Sequence, residues 1–468
     1  MVFANLIFIY IFLPLNLLLY FSTKKKGFRN AVLIAFSLFF YAWGEPIWIT
    51  LLLFSAVIDY CHGRIIEGHR GQWQAKAAVA SSLILNLGLL GTFKYSGFIV
   101  ENVNALLGTG FAVPSFALPI GISFYTFQTI SYTLDVYRGG VRAQRSFSKF
   151  LMYVSSYHQL VAGPIVRYSD VAKEIEDRHT TAKDFSEGIT KFCIGLAKKV
   201  MVANVAGKMV SHYLDGDLAK LSVAGAWFGV IMFSIQLYYD FSGYSDMAIG
   251  LGRIFGFHYP TNFNYPYISK SVTEFWRRWH ITLGAFFRDY VYIPLGGNRK
   301  HQWLNIAVVW FLTGLWHGAS WNFILWGLYY GVLLVLEKLF LLKLLKKIPA
   351  VFGHCYTLFA AVVGWAIFYV TDLGRLRSLL SILFGFSGAA ISDLQLTITV
   401  QNNIFWLIGA AVFCMPVTQW IKAKVQALPE EKQALCQGCA AVMNVGILFL
   451  CTALLVGQSY NPFLYFRF

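Results

Sequence analysis

The sequence predicts an all-α protein that crosses a membrane many times. Of its 468 residues, 57% are hydrophobic and 13% are charged, and the mean hydropathy is +0.58. Long apolar stretches alternate with short basic loops along the chain. A water-soluble domain does not bury that much apolar surface, and backbone inside lipid must satisfy its hydrogen bonds within helices or closed barrels. The lengths of the stretches favour helices.

The apolar stretches predict a bundle of about 11 or 12 transmembrane helices, because about 20 residues cross the hydrocarbon layer. The stretches are 3–22, 30–44, 47–61, 77–93, 115–137, 198–214, 222–240, 303–317, 320–337, 350–371, 403–421 and 438–457. No linker or internal repeat divides the chain, so we predict one membrane-embedded domain over residues 1–468. Two parts, 150–200 and 253–301, are too polar or too broken to cross, and we expect cytoplasmic, interfacial or re-entrant segments there.

The basic residues predict the orientation in the membrane. The first apolar stretch lacks a small-residue cleavage pattern and is followed by Lys24, Lys25, Lys26 and Arg29, so we expect a retained span whose N-terminus lies outside. The later basic loops then all fall on the cytoplasmic side, and the C-terminus lies outside. The formal net charge of +16 therefore reflects topology and attraction to anionic lipid headgroups, not nucleic-acid binding.

The cysteines and the known catalytic motifs exclude several function classes. Cys436 and Cys439 are the only close pair among seven scattered cysteines, and packing is their favoured role. We predict no metal site, no bound cofactor and no disulfide framework. The sequence contains no Gly-x-Ser-x-Gly elbow, P-loop or His-Glu-x-x-His motif, so hydrolase, ATPase and zinc-protease functions have no support.

Two histidines are candidate functional residues because each lies among tryptophans in an apolar setting. His317 follows Trp316 at the end of the apolar stretch 306–317, and an ionisable group at membrane depth marks a functional site by default. His280 lies in 270–301, whose aromatic and basic residues are typical of the headgroup level. Satisfied packing is the alternative for both histidines.

The remaining polar candidates favour structural roles. We expect His62, His69, His179, His212, His258, His301 and His354 to be solvated or to anchor span ends at the interface. His158 lies beside a predicted chain break at Gly163 and Pro164, and packing is favoured there as well. Asp240 and Asp246 could orient a histidine or pair with an arginine of 277–299, and the ion pair is favoured.

Several motifs together resemble the membrane-bound O-acyltransferase family over nearly the whole chain. They are Leu118–Phe124, Val161–Pro164, Tyr239–Gly250, Glu274–His280, Arg288–Lys300 and Gly314–Gly318. The resemblance implies a helical bundle with a central tunnel, in which His317 is the catalytic histidine and His280 is its partner across the tunnel. A neutral imidazole at His317 would take the proton of the attacking hydroxyl, while His280 or an amide would stabilise the oxyanion.

The resemblance also implies the substrates and the partner. The acyl group, expected to be acetyl from acetyl-CoA, would come from a cytoplasmic thioester and serve O-acetylation of an extracytoplasmic polysaccharide, with help from an extracytoplasmic acetyltransferase of the SGNH-hydrolase type. The resemblance implies contacts with the acyl donor or the substrate at six residues: Arg277, Arg278, Arg299, Lys300, Asp240 and Trp316. The expected location is the cytoplasmic membrane of a bacterium. A transporter or channel for an anionic or lipid-linked substrate and a non-catalytic scaffold stay open as alternatives.

The C-terminal residues 459–468 are unusually aromatic for a chain end. One interpretation is an interfacial aromatic anchor near the outer mouth of the tunnel. The other is that the hydroxyl of Tyr465 receives the acyl group at His317 and passes it to the extracytoplasmic partner, since a phenol ester is a reactive acyl donor.

Overall fold

The computed structural model describes residues 1–457 together with Phe463 and Leu464, and every regular element in them is helical. The α-helices are Leu13–Phe21, Lys26–Gly44, Ile49–Gly68, Trp73–Leu107, Ile122–Tyr137, Phe147–Ser155, Tyr157–Leu160, Tyr168–Glu176, Ala182–Ala197, Asn204–Leu214, Val223–Ile254, Val272–Arg278, Ile281–Phe287, Gln302–His317, Trp321–Leu336, Leu342–Leu345, Ala350–Tyr369, Leu373–Leu383, Leu394–Phe413, Val417–Gln426 and Glu430–Val456. Short 3-10 turns occupy Leu218–Lys220 and Pro266–Ile268.

Four segments within this part of the chain are π-helical. They are Phe8–Phe12, Lys198–Ala203, Arg288–Tyr292 and Glu337–Leu341. π-Helical turns are rare and occur frequently at functional sites. Arg288–Tyr292 and Glu337–Leu341 flank the residues that form the candidate site described below.

Among the described residues, five helices are long and apolar enough to cross a membrane. They are Ile49–Gly68, Trp73–Leu107, Ala350–Tyr369, Leu394–Phe413 and Glu430–Val456. The other predicted spans are also helical, but they are shorter, more polar or interrupted. The stretch 198–214, for example, begins with the π-helical turn Lys198–Ala203. The predicted all-α, multi-pass membrane fold is confirmed.

The chain divides into two compact units. The first contains residues 1–192, 244–260 and the described residues from 455 onwards, and the second contains residues 193–243 and 261–454. The candidate site lies in the second unit.

In the first unit, the predicted re-entrant segment is broken and completely covered by protein. Residues 150–166 are all buried, and the helix Phe147–Ser155 ends one residue before Tyr157–Leu160 begins. The ring of Tyr157 contacts a cluster of phenylalanine rings at centroid distances of 5.3–6.3 Å: those of Phe3, Phe8, Phe12 and Phe40. Irregular backbone at membrane depth is tolerated only where protein or water lines it, and here protein does.

The expectation that His62 is a solvated span-end residue is wrong. The helix Ile49–Gly68 continues past it, and its ring is buried with Nδ1 3.1 Å from Asp59 Oδ1. The Asp59 carboxylate also accepts hydrogen bonds from Ser82 at 2.6 Å and Asn86 at 2.7 Å. This buried polar network joins the helices Ile49–Gly68 and Trp73–Leu107.

In the second unit, the helices Gln302–His317 and Trp321–Leu336 form a tightly packed hairpin. A Cβ atom on Gly327 would lie 3.2 Å from the Cα atom of Gly314 and would overlap the carbonyl oxygen of Trp310. Only glycine allows two helix backbones to approach this closely. The hairpin fixes the position of His317 at the end of its first helix.

Candidate active site

His317 is the last residue of the helix Gln302–His317 and is held by aromatic rings. Its ring contacts Trp316 and Trp326 at centroid distances of 4.9 Å each and Phe368 at 5.2 Å. The rings of Trp326 and Phe368 meet it nearly at right angles. The imidazole is 9% exposed, so it lies at the edge of the core.

His280 lies between the short helices Val272–Arg278 and Ile281–Phe287, neither of which is long enough to span a membrane. Its φ of 44° is in the left-handed region, which costs a residue with a Cβ atom about 1–2 kcal/mol. The turn aims the imidazole into the interior, where it is 2% exposed. Aromatic rings surround it, with Phe241 at 4.7 Å and Trp316 at 5.8 Å.

Trp316 joins the two histidines, because its ring contacts both His280 and His317. The tryptophan is 3% exposed. The structure therefore brings His280, Trp316 and His317 together in one cluster.

A network centred on Asn262 holds His280. The Asn262 side-chain oxygen Oδ1 lies 3.0 Å from His280 Nδ1 and accepts hydrogen bonds from Thr282, at 3.3 Å from its backbone N–H and 2.9 Å from its hydroxyl. The Asn262 carbonyl accepts a further bond from the Ile281 N–H at 2.9 Å. Burial lowers the pKa of His280 to about 3, so the ring is neutral at physiological pH.

His280 lines a cavity of about 290 Å³ in the second unit. The other lining residues are Trp276, Trp279, Leu283, Gly284, Phe287, Arg288, Tyr292, Asn298, Ile306, Val309, Trp310, Thr313, Leu334 and Lys338. His317 is not in this wall, but Thr313, one helical turn before it, is. An apolar pocket with a few polar groups and a histidine is typical of a ligand site.

Glu337 anchors the helix Val272–Arg278, which positions Trp276 and the following Trp279 at the cavity. Its carboxylate is completely buried and accepts hydrogen bonds from the backbone N–H groups of Val272 at 2.6 Å and Thr273 at 2.8 Å. These are orphan donors at the start of the helix Val272–Arg278, and a negative charge there is favoured by the helix dipole. Trp276 on this helix and Trp279 directly after it line the cavity.

The basic residues predicted to contact the acyl donor differ in their surroundings. Arg278 is engaged by Glu274, with 2.8 Å between its guanidinium and the carboxylate, and it also donates to the Asn264 carbonyl at 3.2 Å. Arg277 is exposed and is electrostatically coupled to Lys338 in the cavity wall. Burial and the charge of Arg277 lower the pKa of Lys338.

Arg299 and Lys300 are exposed in the turn that precedes the helix Gln302–His317. The Asn305 side chain fixes this turn by donating to the carbonyl groups of Gly297 at 3.0 Å and Lys300 at 2.7 Å. Asn298 of the same turn lies in the cavity wall.

The favoured ion-pair role of the two aspartates is confirmed, but each pairs with a lysine where an arginine of 277–299 was expected. Asp240 lies 2.5 Å from the Lys199 ammonium, and both side chains are almost fully buried. Asp246 lies 2.9 Å from Lys191. Each lysine comes from the helical segment packed against Val223–Ile254, so the packing of helices decides the partner.

Three residues of the site were missed by the sequence analysis: Asn262, Glu337 and Lys338. No local pattern marks them as site residues, because their roles follow from contacts with distant parts of the chain. Arg288, which also lines the cavity, lies in the motif Arg288–Lys300. Tyr465 lies outside the described residues, so the two interpretations of the C-terminal end stay predictions. Among the residues with described positions, no group of three or more His, Cys, Asp or Glu side chains is arranged to hold a metal ion.

The sequence is similar to those of known membrane proteins and enzymes. The membrane-bound O-acyltransferase family matches residues 140–378, which include both histidines. A probable alginate O-acetylase of Azotobacter vinelandii is 36% identical over 100% of both chains. A peptidoglycan O-acetyltransferase of Helicobacter pylori is 34% identical over 84% of this chain and 82% of that protein. A teichoic acid D-alanyltransferase of Bacillus subtilis is 30% identical over 47% of this chain and 59% of that protein.

The multi-pass helical fold and these matches define a membrane acyltransferase. The chain belongs to the membrane-bound O-acyltransferase family. The predicted family and enzyme class are confirmed, and among the alternatives of enzyme, transporter and scaffold the enzyme is correct.

Proposed function

We propose that this protein takes an acyl group, acetyl in the first instance, from a cytoplasmic thioester and makes it available for O-acetylation of an extracytoplasmic polysaccharide. The observation that carries the proposal is the cavity whose wall contains His280 and three tryptophans, Trp276, Trp279 and Trp310. The relatives are named for their action on alginate, peptidoglycan and teichoic acid, which supports a cell-surface polymer as the acceptor.

Acetyl-CoA is the proposed donor. Its thioester arm is narrow and partly apolar, which suits a cavity lined by aromatic rings. Its phosphates carry negative charge, and Lys338 in the wall with the neighbouring Arg277 offers positive charge. Arg299 and Lys300 lie exposed in a turn whose Asn298 also lines the cavity. Arg278 is the weakest donor contact of the predicted set, because Glu274 already engages it.

His280 and His317 are proposed to perform the transfer as a pair around Trp316. The acceptor hydroxyl attacks the thioester carbonyl, its proton goes to one imidazole, and a hydrogen-bond donor stabilises the oxyanion. Collapse of the tetrahedral intermediate breaks the C–S bond, and the proton then passes from the imidazolium to the leaving sulfur. Both the ester product and the free thiol are thereby neutral.

The acceptor side of the proposal has two forms. In one, Tyr465 receives the acyl group and passes it to an extracytoplasmic SGNH-type acetyltransferase; in the other, that end of the chain is only an anchor. The change Tyr465→Phe removes a single oxygen and separates them, since full polymer acetylation by this variant contradicts the relay. We further propose the cytoplasmic membrane of a bacterium as the location, with both termini outside.

The test is acyl transfer by the purified full chain reconstituted in liposomes and supplied with acetyl-labelled acetyl-CoA. We expect thioester cleavage that is lost in His317→Ala and retained in His69→Ala, a matched change at an exposed histidine. Equal cleavage by wild type and His317→Ala contradicts the assignment of His317. Uptake of label without thioester cleavage contradicts the proposed function.

A further inference from the structure

We propose that the helix Val417–Gln426 lies on the membrane surface, binds anionic phospholipid, and anchors the segment that contacts His280. The membrane contact is independent of the proposed function. Its effect on catalysis rests on the proposed function and deepens it, because it names a class of lipid that regulates the same site.

The helix is a separate element between two helices that can cross a membrane. Leu394–Phe413 precedes it and Glu430–Val456 follows it. Pro416 and Pro429 mark the two breaks, since proline has no N–H with which to continue a helix. Consecutive spans cross in opposite directions, so this connection stays on one side of the membrane. The predicted topology makes that the cytoplasmic side.

One face of the helix is apolar and mostly uncovered by protein. Its apolar residues recur at the spacing of a single helical face: Val417, Trp420, Ile421 and Val425. Trp420 and Ile421 are each 56% exposed, and within the described part of the chain none of the 10 residues of the helix is buried. An apolar face that carries a tryptophan and adjoins two spans is typical of a helix at the headgroup level.

The charges on the helix favour an anionic lipid surface. Glu430 and Glu431 lie in the first turn of the next helix, where the helix dipole stabilises acidic residues, but the helix itself has no acidic residue. Its Lys422 and Lys424 are exposed. Lysines on an interfacial helix keep their ammonium groups in water beside the lipid phosphates, and each contributes roughly a factor of 5 in affinity for an anionic surface.

The polar side of the helix is attached to the segment before the candidate site. The hydroxyl groups of Thr418 and Tyr265 share a hydrogen bond, and Gln419 donates to the Asn264 side-chain oxygen at 3.4 Å. Tyr265 has a φ of 48°, in the left-handed region. Such a backbone conformation persists only where surrounding contacts hold it, and the contact with Thr418 is one of these.

The attached segment is paired with the turn that carries His280. The Asn264 N–H donates to the Arg278 carbonyl at 2.9 Å, and the Arg278 guanidinium donates to the Asn264 carbonyl at 3.2 Å. Asn262, two residues earlier in the chain, contacts His280 Nδ1. A continuous series of hydrogen bonds therefore joins the exposed helix to this histidine, and such a network can carry energetic coupling.

Fluorine NMR tests the membrane contact. The full chain is labelled with fluorotryptophan in lipid nanodiscs, and the Trp420 signal is assigned by its loss in Trp420→Phe. A nitroxide attached to the lipid should broaden this signal more than a water-soluble gadolinium chelate does. Stronger broadening by the chelate overturns the proposal. So does a signal that neither reagent broadens, which is the result expected if another protein covers this face.

Acyl transfer tests the coupling to the site. In liposomes of equal parts phosphatidylcholine and phosphatidylglycerol, wild-type kcat should be about 3- to 10-fold higher than in phosphatidylcholine alone, with little change in the KM for acetyl-CoA. Lys422→Gln/Lys424→Gln should lose this increase. Lys183→Gln/Lys220→Gln, the matched control at two exposed lysines elsewhere, should keep it. Equal wild-type rates in the two lipids overturn the coupling.

Two variants of Thr418 test the attachment itself. Thr418→Val keeps the shape of the side chain but removes the hydroxyl that contacts Tyr265, so it should lose the increase in phosphatidylglycerol. Thr418→Ser keeps a hydroxyl and should retain the increase. An undiminished increase in Thr418→Val overturns the role of this contact. Absence of acyl transfer by wild type in every lipid contradicts the proposed function, while the fluorine measurement still reports the membrane contact.

Discussion

His158 and His280 are buried to a similar degree, one in each unit, but their partners differ. His158 is completely buried, and its Nδ1 lies 2.5 Å from the Tyr259 hydroxyl. His280 Nδ1 faces the Asn262 oxygen instead. For each ring, Nε2 has no hydrogen-bond partner among the residues that the structure describes. Burial lowers the pKa of each to about 3, and at His158 the charge of Arg178 adds to the effect.

These different partners show that burial alone does not make a histidine functional. A tyrosine hydroxyl can donate or accept, so it leaves the tautomer of His158 open, whereas a carbonyl oxygen defines that of His280. The rings of Phe255, Phe257 and Tyr259 pack on His158 at 5.4–6.0 Å, while His280 lines a cavity. The first arrangement is a packed core, and the second can receive a substrate.

The largest expected effect comes from replacing each of the two histidines with alanine, one at a time. His280→Ala should lower kcat by about 10²–10⁴-fold, the usual contribution of a residue that takes part in general acid–base catalysis. His158→Ala should instead lower the thermal stability, because it leaves a cavity in an aromatic core. The measurement is single-turnover acyl transfer per folded molecule beside a melting curve. Equal losses of kcat would remove the distinction between the two sites.

A second prediction tests whether Glu337 fixes the helix Val272–Arg278 beside the cavity. In Glu337→Gln, the side-chain amide can accept from only one of the two N–H groups of Val272 and Thr273, and an unsatisfied buried donor costs roughly 1–3 kcal/mol. We expect a lower melting temperature and a reduced kcat, because Trp276 and Trp279 are no longer fixed. Glu431→Gln, at an exposed carboxylate, is the control. Unchanged stability would show that the hydrogen bonds from Val272 and Thr273 to Glu337 are dispensable.

A third prediction concerns the charge at the cavity. Lys338→Ala should raise the KM for acetyl-CoA by about 3- to 10-fold, since a partly exposed charge contact contributes about 1 kcal/mol. The KM for S-acetylpantetheine, which has no phosphate, should not change. Lys424→Ala removes an exposed lysine elsewhere and should affect neither KM. An equal increase for both donors would assign Lys338 a packing role.

The smallest effect is expected at the partner of His158. Tyr259→Phe keeps the ring and removes only the hydroxyl that contacts Nδ1, so it should cost about 1 kcal/mol of stability. Acyl transfer per folded molecule should be unchanged. A specific loss of kcat would mean that His158 also belongs to the catalytic apparatus.

The sequence predicted the parts of the site that depend on local pattern. The apolar stretch before His317 and the aromatic segment around His280 predicted the two candidate histidines that the structure places in one cluster with Trp316. The break in the chain beside His158 was predicted for the same reason, because Gly163 and Pro164 interrupt the helical pattern.

The contacts that define the chemistry were not predictable, because they join residues far apart in the chain. Asn262 precedes His280 by 18 positions, and Glu337 lies 65 positions after Val272. The predicted partner of Asp240 was wrong for a related reason. A carboxylate pairs with whichever cation the neighbouring helix presents, and here that cation is Lys199.

The two π-helical turns at the cavity, Arg288–Tyr292 and Glu337–Leu341, have a consequence for insertions and deletions. A π-turn accommodates one residue more than an α-helical turn, so deleting one residue there can restore the α-helical repeat and leave the helix that follows in register. A deletion within Glu337–Leu341 would therefore remove the wide turn beside the cavity while the rest of the helix keeps its packed face. A deletion of one residue from the regular helix Trp321–Leu336 would instead rotate all that follows by about 100°, and we expect it to be far more damaging.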